Sequence, residues 1–416
     1  MLCGLPSIFN GLTSKSPPSS FEGSKVGNLK ELMMVCFPGV RRDSSAIHKM
    51  VRFIEGGDYE ADEWRCDQGY RVPKSCSGFP FTLEVFENPE ASHDDIFLCA
   101  GGPKRTKIGG GGEKVVSLGV NYHSLSLVSV YKAIKPKSTR LNDGIWRDVA
   151  VGKMLAPLVQ ENPDDFKGRT YQSRNHSADG CVRVKAIVPY YAKGDLFNRL
   201  EDRPLTRAQC LWMASDLARQ VAHLHERGVI HTDIKPENVL VTDKGKFALM
   251  DFGMAMKKDE YKGIQGTPAY VDPHLLVSKA CGVPYPKDIG LLDVYSLGLV
   301  MKDAYWGVAR KIQHGDVVEE VRNFGPLQLY VEKCLNIGRP RSNDYMIRRF
   351  GDLQQKQLQE LDGDHGAMQP YVDLMKRMIS IDPEQRPDIL EVVSSLRQMQ
   401  FDLVDLDQTK LSAIKV

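Results

Sequence analysis

The sequence predicts an α+β protein of two lobes, one rich in strands and one helical. From about residue 105 to Leu205 the chain reads as a Gly-rich turn followed by alternating apolar runs, and beyond Leu205 it turns predominantly helical. Length is the third observation: 416 residues, 42% apolar and 26% charged, suit about two or three domains or one large two-lobed domain with an extension. Such an arrangement leaves a cleft between the lobes, where chemistry is expected.

The elements follow in chain order. Residues 1–27 are rich in Ser, Gly and Pro (SKSPPSSFEGSKVG), lack a sustained period and read as a flexible tail. Residues 28–104 form an N-terminal extension or accessory region of unassigned role. Here Leu29, Leu32, Met33 and Cys36 stand at helical spacing, as do Ile47, Met50, Val51 and Ile54, and FPFTLEVFE reads as strand. The main domain is expected over 105–400, with a tail over 401–416. VVSLGV and SLVSVYKAI read as strands, Asp143 to Leu158 as a helix, and Val182–Val188 as a further strand. No internal repeat is visible.

Composition bounds the partners. The net charge is +2, which argues against a nucleic-acid reader, and no apolar run is long enough to span a bilayer. The nine cysteines are scattered, odd in number and without zinc spacing, so reduced thiols in the cytoplasm are expected. The balance is locally uneven: residues 101–140 hold 8 Lys/Arg against 1 Asp/Glu.

The strongest chemical signal is HTDIKPENVLV at 231–241. Asp233, Lys235 and Asn238 can converge in one loop, where the carboxylate orients a hydroxyl, the ammonium meets phosphate and the amide oxygen coordinates a hard cation. Asp251 ends the apolar run FALM ahead of Phe-Gly and supplies a second metal-binding carboxylate.

HTDIKPEN followed by DFG resembles the catalytic and metal-binding loops of eukaryotic-type protein kinases, and the resemblance covers about residues 105–400. It implies a bilobed protein-kinase fold with a β-rich N-lobe and a helical C-lobe. KIGGGGEKVV at 107–116 resembles the family's Gly-rich loop, with Gly109, Gly111 and Val116 on the pattern and Lys114 in place of the third glycine. The family's strand lysine has two candidates, Lys132 and Lys135. Lys132 has the better interval from Gly109 and is preferred, although Lys135 matches the local string better; three residues apart on a strand, the two face opposite ways. Asp148 in WRDVAVGKML stands where the family places the Glu that pairs with that lysine. KAIVPYYAKGDLF resembles the adenine-reading hinge, with Val188 and Tyr191 at the pocket and Asp195 placed to accept from a ribose hydroxyl.

GIQGTPAYVDPH resembles the end of the activation segment, but His274 stands at the position of the closing Glu, so the family's buried ion pair to Arg386 is expected to be absent or replaced. DVYSLG keeps Asp293, which in the family hydrogen-bonds the catalytic-loop backbone. Thr232 replaces the Arg before the catalytic Asp, a non-RD form that argues against activation by loop phosphorylation. Lys235 together with Thr267 follows the Ser/Thr form. The resemblance therefore implies a serine/threonine kinase that uses ATP and Mg2+ and acts on Ser/Thr hydroxyls of proteins. A pseudokinase scaffold or nucleotide-binding regulatory module is the alternative, favoured by Lys114, Asp148, Thr232 and His274. The Ser-rich tail with divergent motifs also fits a secreted bacterial effector acting in a host cytosol.

Overall fold

A computed structural model describes residues 70–71, 81–86, 95–100, 107–110, 114–133 except 126, 139–159, 169–174, 182–275 except 192, 243–244, 262 and 264, then 278, 286–322 except 315–316, and 343–413. These fall into two compact units. The first takes residues up to Lys153 with 162–192, and the second takes 154–161 with everything from Lys193 onward. The helical periods expected within 28–54 lie outside the described residues.

Among the described residues, the first unit holds an antiparallel sheet and most of one long helix. Its strands are β1 (Tyr70–Arg71), β2 (Phe81–Phe86), β3 (Asp95–Ala100), β4 (Lys107–Gly110), β5 (Lys114–Asn121), β6 (Leu127–Ala133), β7 (Arg169–Arg174) and β8 (Val182–Pro189). Their spatial order is β1-β2-β3-β5-β6-β8-β7, with β4 also paired to β5. Valine recurs through β5, β6 and β8, where a branched side chain fits a pleated, packed surface. Ile96, Leu98, Leu118, Val120, Val130 and Ile187 are all buried. Between β5 and β6, Asn121 Oδ1 accepts from the backbone N–H groups of His123 (2.9 Å) and Ser124 (3.0 Å), and Leu125 takes a positive φ. Strands from the N-terminal extension join this sheet: β3 pairs with β5 through Phe97 and Asn121, and β2 and β1 continue outward. Helix α1 (Thr139–Val159) contains the stretch read as helical from the sequence and buries Ile145, Val149 and Leu155.

The second unit is mainly helical: α2 (Leu196–Asp202), α3 (Arg207–Glu226), α4 (Leu291–Trp306), α5 (Asn343–Glu360), α6 (Gln369–Met378) and α7 (Ile389–Ala413). Thr206 begins α3 with a reciprocal capping box to Gln209, satisfying two backbone donors at the helix start. Helix α4 is buried continuously from Leu292 to Ala304, as expected of a helix apolar around most of its circumference. Among its described residues are also three short antiparallel pairs: β9 (Val229–Ile230) with β12 (Met256–Lys257), β10 (Val239–Val241) with β11 (Phe247–Leu249), and β13 (Ala309–His314) with β14 (Val317–Arg322). The β13–β14 hairpin departs from the helical expectation for this region. Side chains of α3 grip β11: Asp216 Oδ2 accepts from Phe247 N (3.0 Å), while Gln220 donates to Phe247 O (2.7 Å) and accepts from Leu249 N (2.9 Å). That fixes the strand leading to Asp251. Among the described residues, no helix is long and apolar enough to cross a membrane.

Candidate active site

Asp293, in the first turn of α4, anchors the loop after β9. Its Oδ2 accepts from His231 N (2.8 Å) and meets His225 Nε2 (2.9 Å), while Oδ1 accepts from Thr232 N (2.9 Å). Burial raises the Asp293 pKa, but the His225 hydrogen bond, the charges of His225 and His231 and the His231 N–H outweigh it and hold the carboxyl below its ordinary value. Held this way, Thr232 takes φ 68°, uncommon for a branched residue, and its hydroxyl donates to Met254 O (3.0 Å).

The turn brings Asp233, Lys235 and Asn238 together. Asp233 Oδ1 accepts from Thr267 N (2.7 Å), and Oδ2 accepts from Lys235 Nζ (2.7 Å) and Asn238 Nδ2 (3.1 Å). Lys235 also donates to Thr267 Oγ1 (2.6 Å), and Asn238 Nδ2 donates to Asp233 O (2.8 Å). Asp233 and Asn238 are buried, so their alignment is set by protein rather than by water. Thr267, read from the sequence only as a marker of the Ser/Thr form, is a structural member of the cluster. Gly266 explains its close approach: a Cβ there would lie 2.4 Å from Thr232 O, on a backbone with φ +102°.

Asp251 follows β11 in the left-handed region, with φ 62° and ψ 65°. The preceding Met250 donates its N–H to Asn238 O (2.9 Å), and its carbonyl meets His231 Nε2 (3.1 Å). One backbone bond therefore ties the strand carrying Asp251 to Asn238. The residues fit a divalent magnesium ion: the Asn238 nitrogen is turned to Asp233, which directs the amide oxygen away from it, and with the Asp251 carboxylate this gives oxygen donors suited to a hard cation. Among the described residues, no group of three or more His, Cys, Asp or Glu is placed for a metal.

Asp195 caps α2, accepting from Asn198 N (2.8 Å) and Asn198 Nδ2 (2.7 Å). Burial is the main cause that raises its pKa, and the charge of Glu237 adds to it. A bridge to Leu240 sets Asp195 beside β10, and Val241 N donates to Gly194 O (3.1 Å).

In the first unit, Gly109 pairs with Val116 across β4 and β5, next to a register irregularity, while Gly111 and Lys135 lie outside the described residues. Val188 is buried in β8, and Tyr191 just beyond that strand is half-buried. Lys132 lies in β6, with its backbone opposite Val115 and Lys185. Asp148, expected to meet Lys132, is ion-paired at 2.7 Å to Lys114, with both side chains at most 10% exposed, and the Lys132 side chain lies outside the described residues. Sequence reasoning had treated Lys114 only as a replaced glycine; its partner lies 34 residues away on α1, beyond the reach of any local motif.

The expected loss or replacement at His274 resolves as a replacement. Asp272, two residues earlier, pairs with Arg386 through both carboxylate oxygens, at 2.5 and 2.8 Å, with neither side chain exposed. Arg386 also donates to the carbonyls of Ser380 (2.7 Å), Leu291 (3.0 Å) and Ile381 (3.3 Å), and lies 4.9 Å from the centroid of the Tyr295 ring.

Comparison with known proteins agrees with this geometry. Residues 104–396 match the family model described as the protein kinase domain. The chain is 27% identical over 278 residues to the serine/threonine-protein kinase GIN4 of Saccharomyces cerevisiae, covering 66% of this chain and 20% of that protein. It is 34% identical over 180 residues to calcium/calmodulin-dependent protein kinase type 1 of Macrobrachium nipponense, covering 41% and 44%. It is 27% identical over 175 residues to the serine/threonine-protein kinase sgk-1 of Caenorhabditis elegans, covering 40% and 36%. The chain thus spans less than half the length of these relatives. With the family model matched across most of its length, the chain belongs to the protein kinase domain family.

Proposed function

We propose that this protein transfers the γ-phosphoryl group of ATP to Ser or Thr hydroxyls of protein substrates. The observation that carries the reading is the Asp233–Lys235–Thr267 cluster, a buried carboxylate held by an ammonium and a backbone N–H at 2.7 Å each. Asp233 would orient the acceptor hydroxyl and take its proton, and Lys235 would offset charge on the transferring group. Asn238 and Asp251 would hold Mg2+, which supplies charge neutralisation on the phosphates when bound. In this reading most of the rate enhancement comes from positioning and electrostatics. Gly109, Gly111 and Val116 would cover the phosphates and base, Val188 and Tyr191 would line the adenine site, and Asp195 would accept from the ribose. The relatives named serine/threonine-protein kinases support the choice of acceptor.

The test is Mg·ATP turnover on a panel of protein substrates, wild type against Asp233→Ala. Transfer by wild type and its loss in the variant is the expected result. Tight Mg·ATP binding with no transfer in either would replace this reading with the pseudokinase or nucleotide-binding regulatory module, and failure to bind nucleotide at all would overturn both.

A further inference from the structure

The proposed phosphoryl transfer calls for an ammonium near the nucleotide phosphates in the first unit, and strand register separates Lys114 from Lys132. Across β5 and β6, Lys114 lies opposite Ala133, Val116 opposite Tyr131 and Leu118 opposite Ser129; Ser129 in turn lies opposite Val188 on β8. Directly opposed residues share a face, and so do alternate residues along a strand. Lys114, Val116 and Val188 therefore occupy one face, the face of both valines assigned to the nucleotide. Position 132 pairs with Val115 and Lys185, one residue out of step, so the register assigns it to the opposite face.

The Lys114 ammonium is directed by Asp148 at 2.7 Å, and both residues are buried. Desolvating an ion pair largely cancels its attraction, so net stabilisation is a weak reason for such a pair; orientation of the ammonium is a stronger one. Lysine carries three N–H donors and can hold an acid and phosphate oxygens together. Lys114 is also the first residue of β5, immediately after the Gly-rich turn, and it belongs to the stretch with 8 basic residues against 1 acidic.

We infer that Lys114 is the lysine that contacts the nucleotide phosphates, taking the place of a lysine on β6, with Asp148 as the positioning residue that aims it. This rests on the kinase reading above. It gives the shorter acid on α1 a partner at the start of β5.

The test uses the full chain with Lys114→Met, Lys132→Met, Lys135→Met, Asp148→Asn and Asp148→Glu, reading Mg·ATP affinity together with kcat and KM for ATP. Lys114→Met is expected to lower kcat/KM by about 100-fold, and by at least about tenfold more than Lys132→Met or Lys135→Met. Asp148→Asn should mainly raise KM for ATP, with recovery in Asp148→Glu, a pattern that a purely structural role would not give. Because Lys114→Met removes the ion-pair partner of a buried carboxylate, Lys114→Met/Asp148→Met controls for folding: it should unfold like wild type yet remain deficient with ATP. A loss in Lys132→Met or Lys135→Met equal to or larger than that in Lys114→Met overturns the inference while leaving the kinase reading intact, as does an active double variant. A wild type that binds no Mg·ATP removes both.

Discussion

Asp272→Ala should be among the most destabilising single changes in the second unit. The Arg386 side chain is fully buried, and its five N–H donors are directed at the two oxygens of Asp272 and the carbonyls of Ser380, Leu291 and Ile381. Removing the acid leaves a guanidinium that cannot escape by losing its proton. Breaking a buried pair from one side costs about 3–5 kcal/mol, a large part of a net stability of about 5–15 kcal/mol. For a unit of this size that corresponds to a fall of about 6–20 °C in Tm. Chemical denaturation and thermal unfolding measure it directly. Asp272→Leu/Arg386→Met should recover much of the loss. His274→Ala should cost at most about 1 kcal/mol, since the charge pairing belongs to Asp272. An Asp272→Ala protein within about 1 kcal/mol of wild type, or a His274→Ala protein less stable than Asp272→Ala, would refute the assignment.

Gly266→Ala should lower kcat by about 100-fold with the protein still folded, because its Cβ would sit 2.4 Å from Thr232 O and displace the Asp233–Thr267 contact; steady-state kinetics and a melting curve check both parts. Asp293 has a depressed folded pKa, so its ionisation stabilises the fold above the ordinary carboxyl pKa of about 4, and this contribution is lost as pH falls through the lower folded value. The stability gap between wild type and Asp293→Asn should therefore be steady near neutrality and close in acid, as pH-dependent denaturation would show; a gap that widens in acid contradicts the sign. Activity should survive phosphatase treatment, because Thr232 Oγ1 and the β9–β12 pairing hold the start of the activation segment without a phosphate. Activity that appears only after loop phosphorylation would end that account.

What could be read in advance from the sequence was chemistry confined to a short stretch. HTDIKPEN carries its geometry locally, since a carboxylate, an ammonium and an amide within six positions of one turn have few ways to avoid each other. The Lys114–Asp148 and Asp272–Arg386 pairs were not legible, because a motif compares positions whereas an ion pair requires only reach. Asp272 lies two residues before the expected Glu, and Lys114 occupies a position read for backbone freedom rather than charge. The β13–β14 hairpin did leave a signal: ARKIQH and VVEEVR are separated by Gly-Asp, a hairpin pattern, but the helical character of the flanking chain masked it. The joining of β3 to β5 rests on pairing partners that no single strand specifies.

The departures from the family pattern bear on whether the site has decayed. Asp272–Arg386 does not discriminate, because a buried guanidinium needs an acid whether or not the protein catalyses anything. The Asp233 cluster is the part that the proposed transfer would use. Asp233, Lys235 and Asn238 are polar side chains gathered in one loop, two of them buried, and folding alone would be served as well by apolar residues of similar size. The proposed transfer gives a reason for that carboxylate to be aligned by three donors, and for Gly266 where a side chain would push Thr267 off Asp233. Thr232 is consistent with this, since its hydroxyl holds Met254 O and so keeps the segment after Asp251 in register with the loop before Asp233. The absence of the family's Arg at that position removes a basic side chain, and the hydrogen bonds that hold Asp233 to Lys235 and Thr267 do not depend on it.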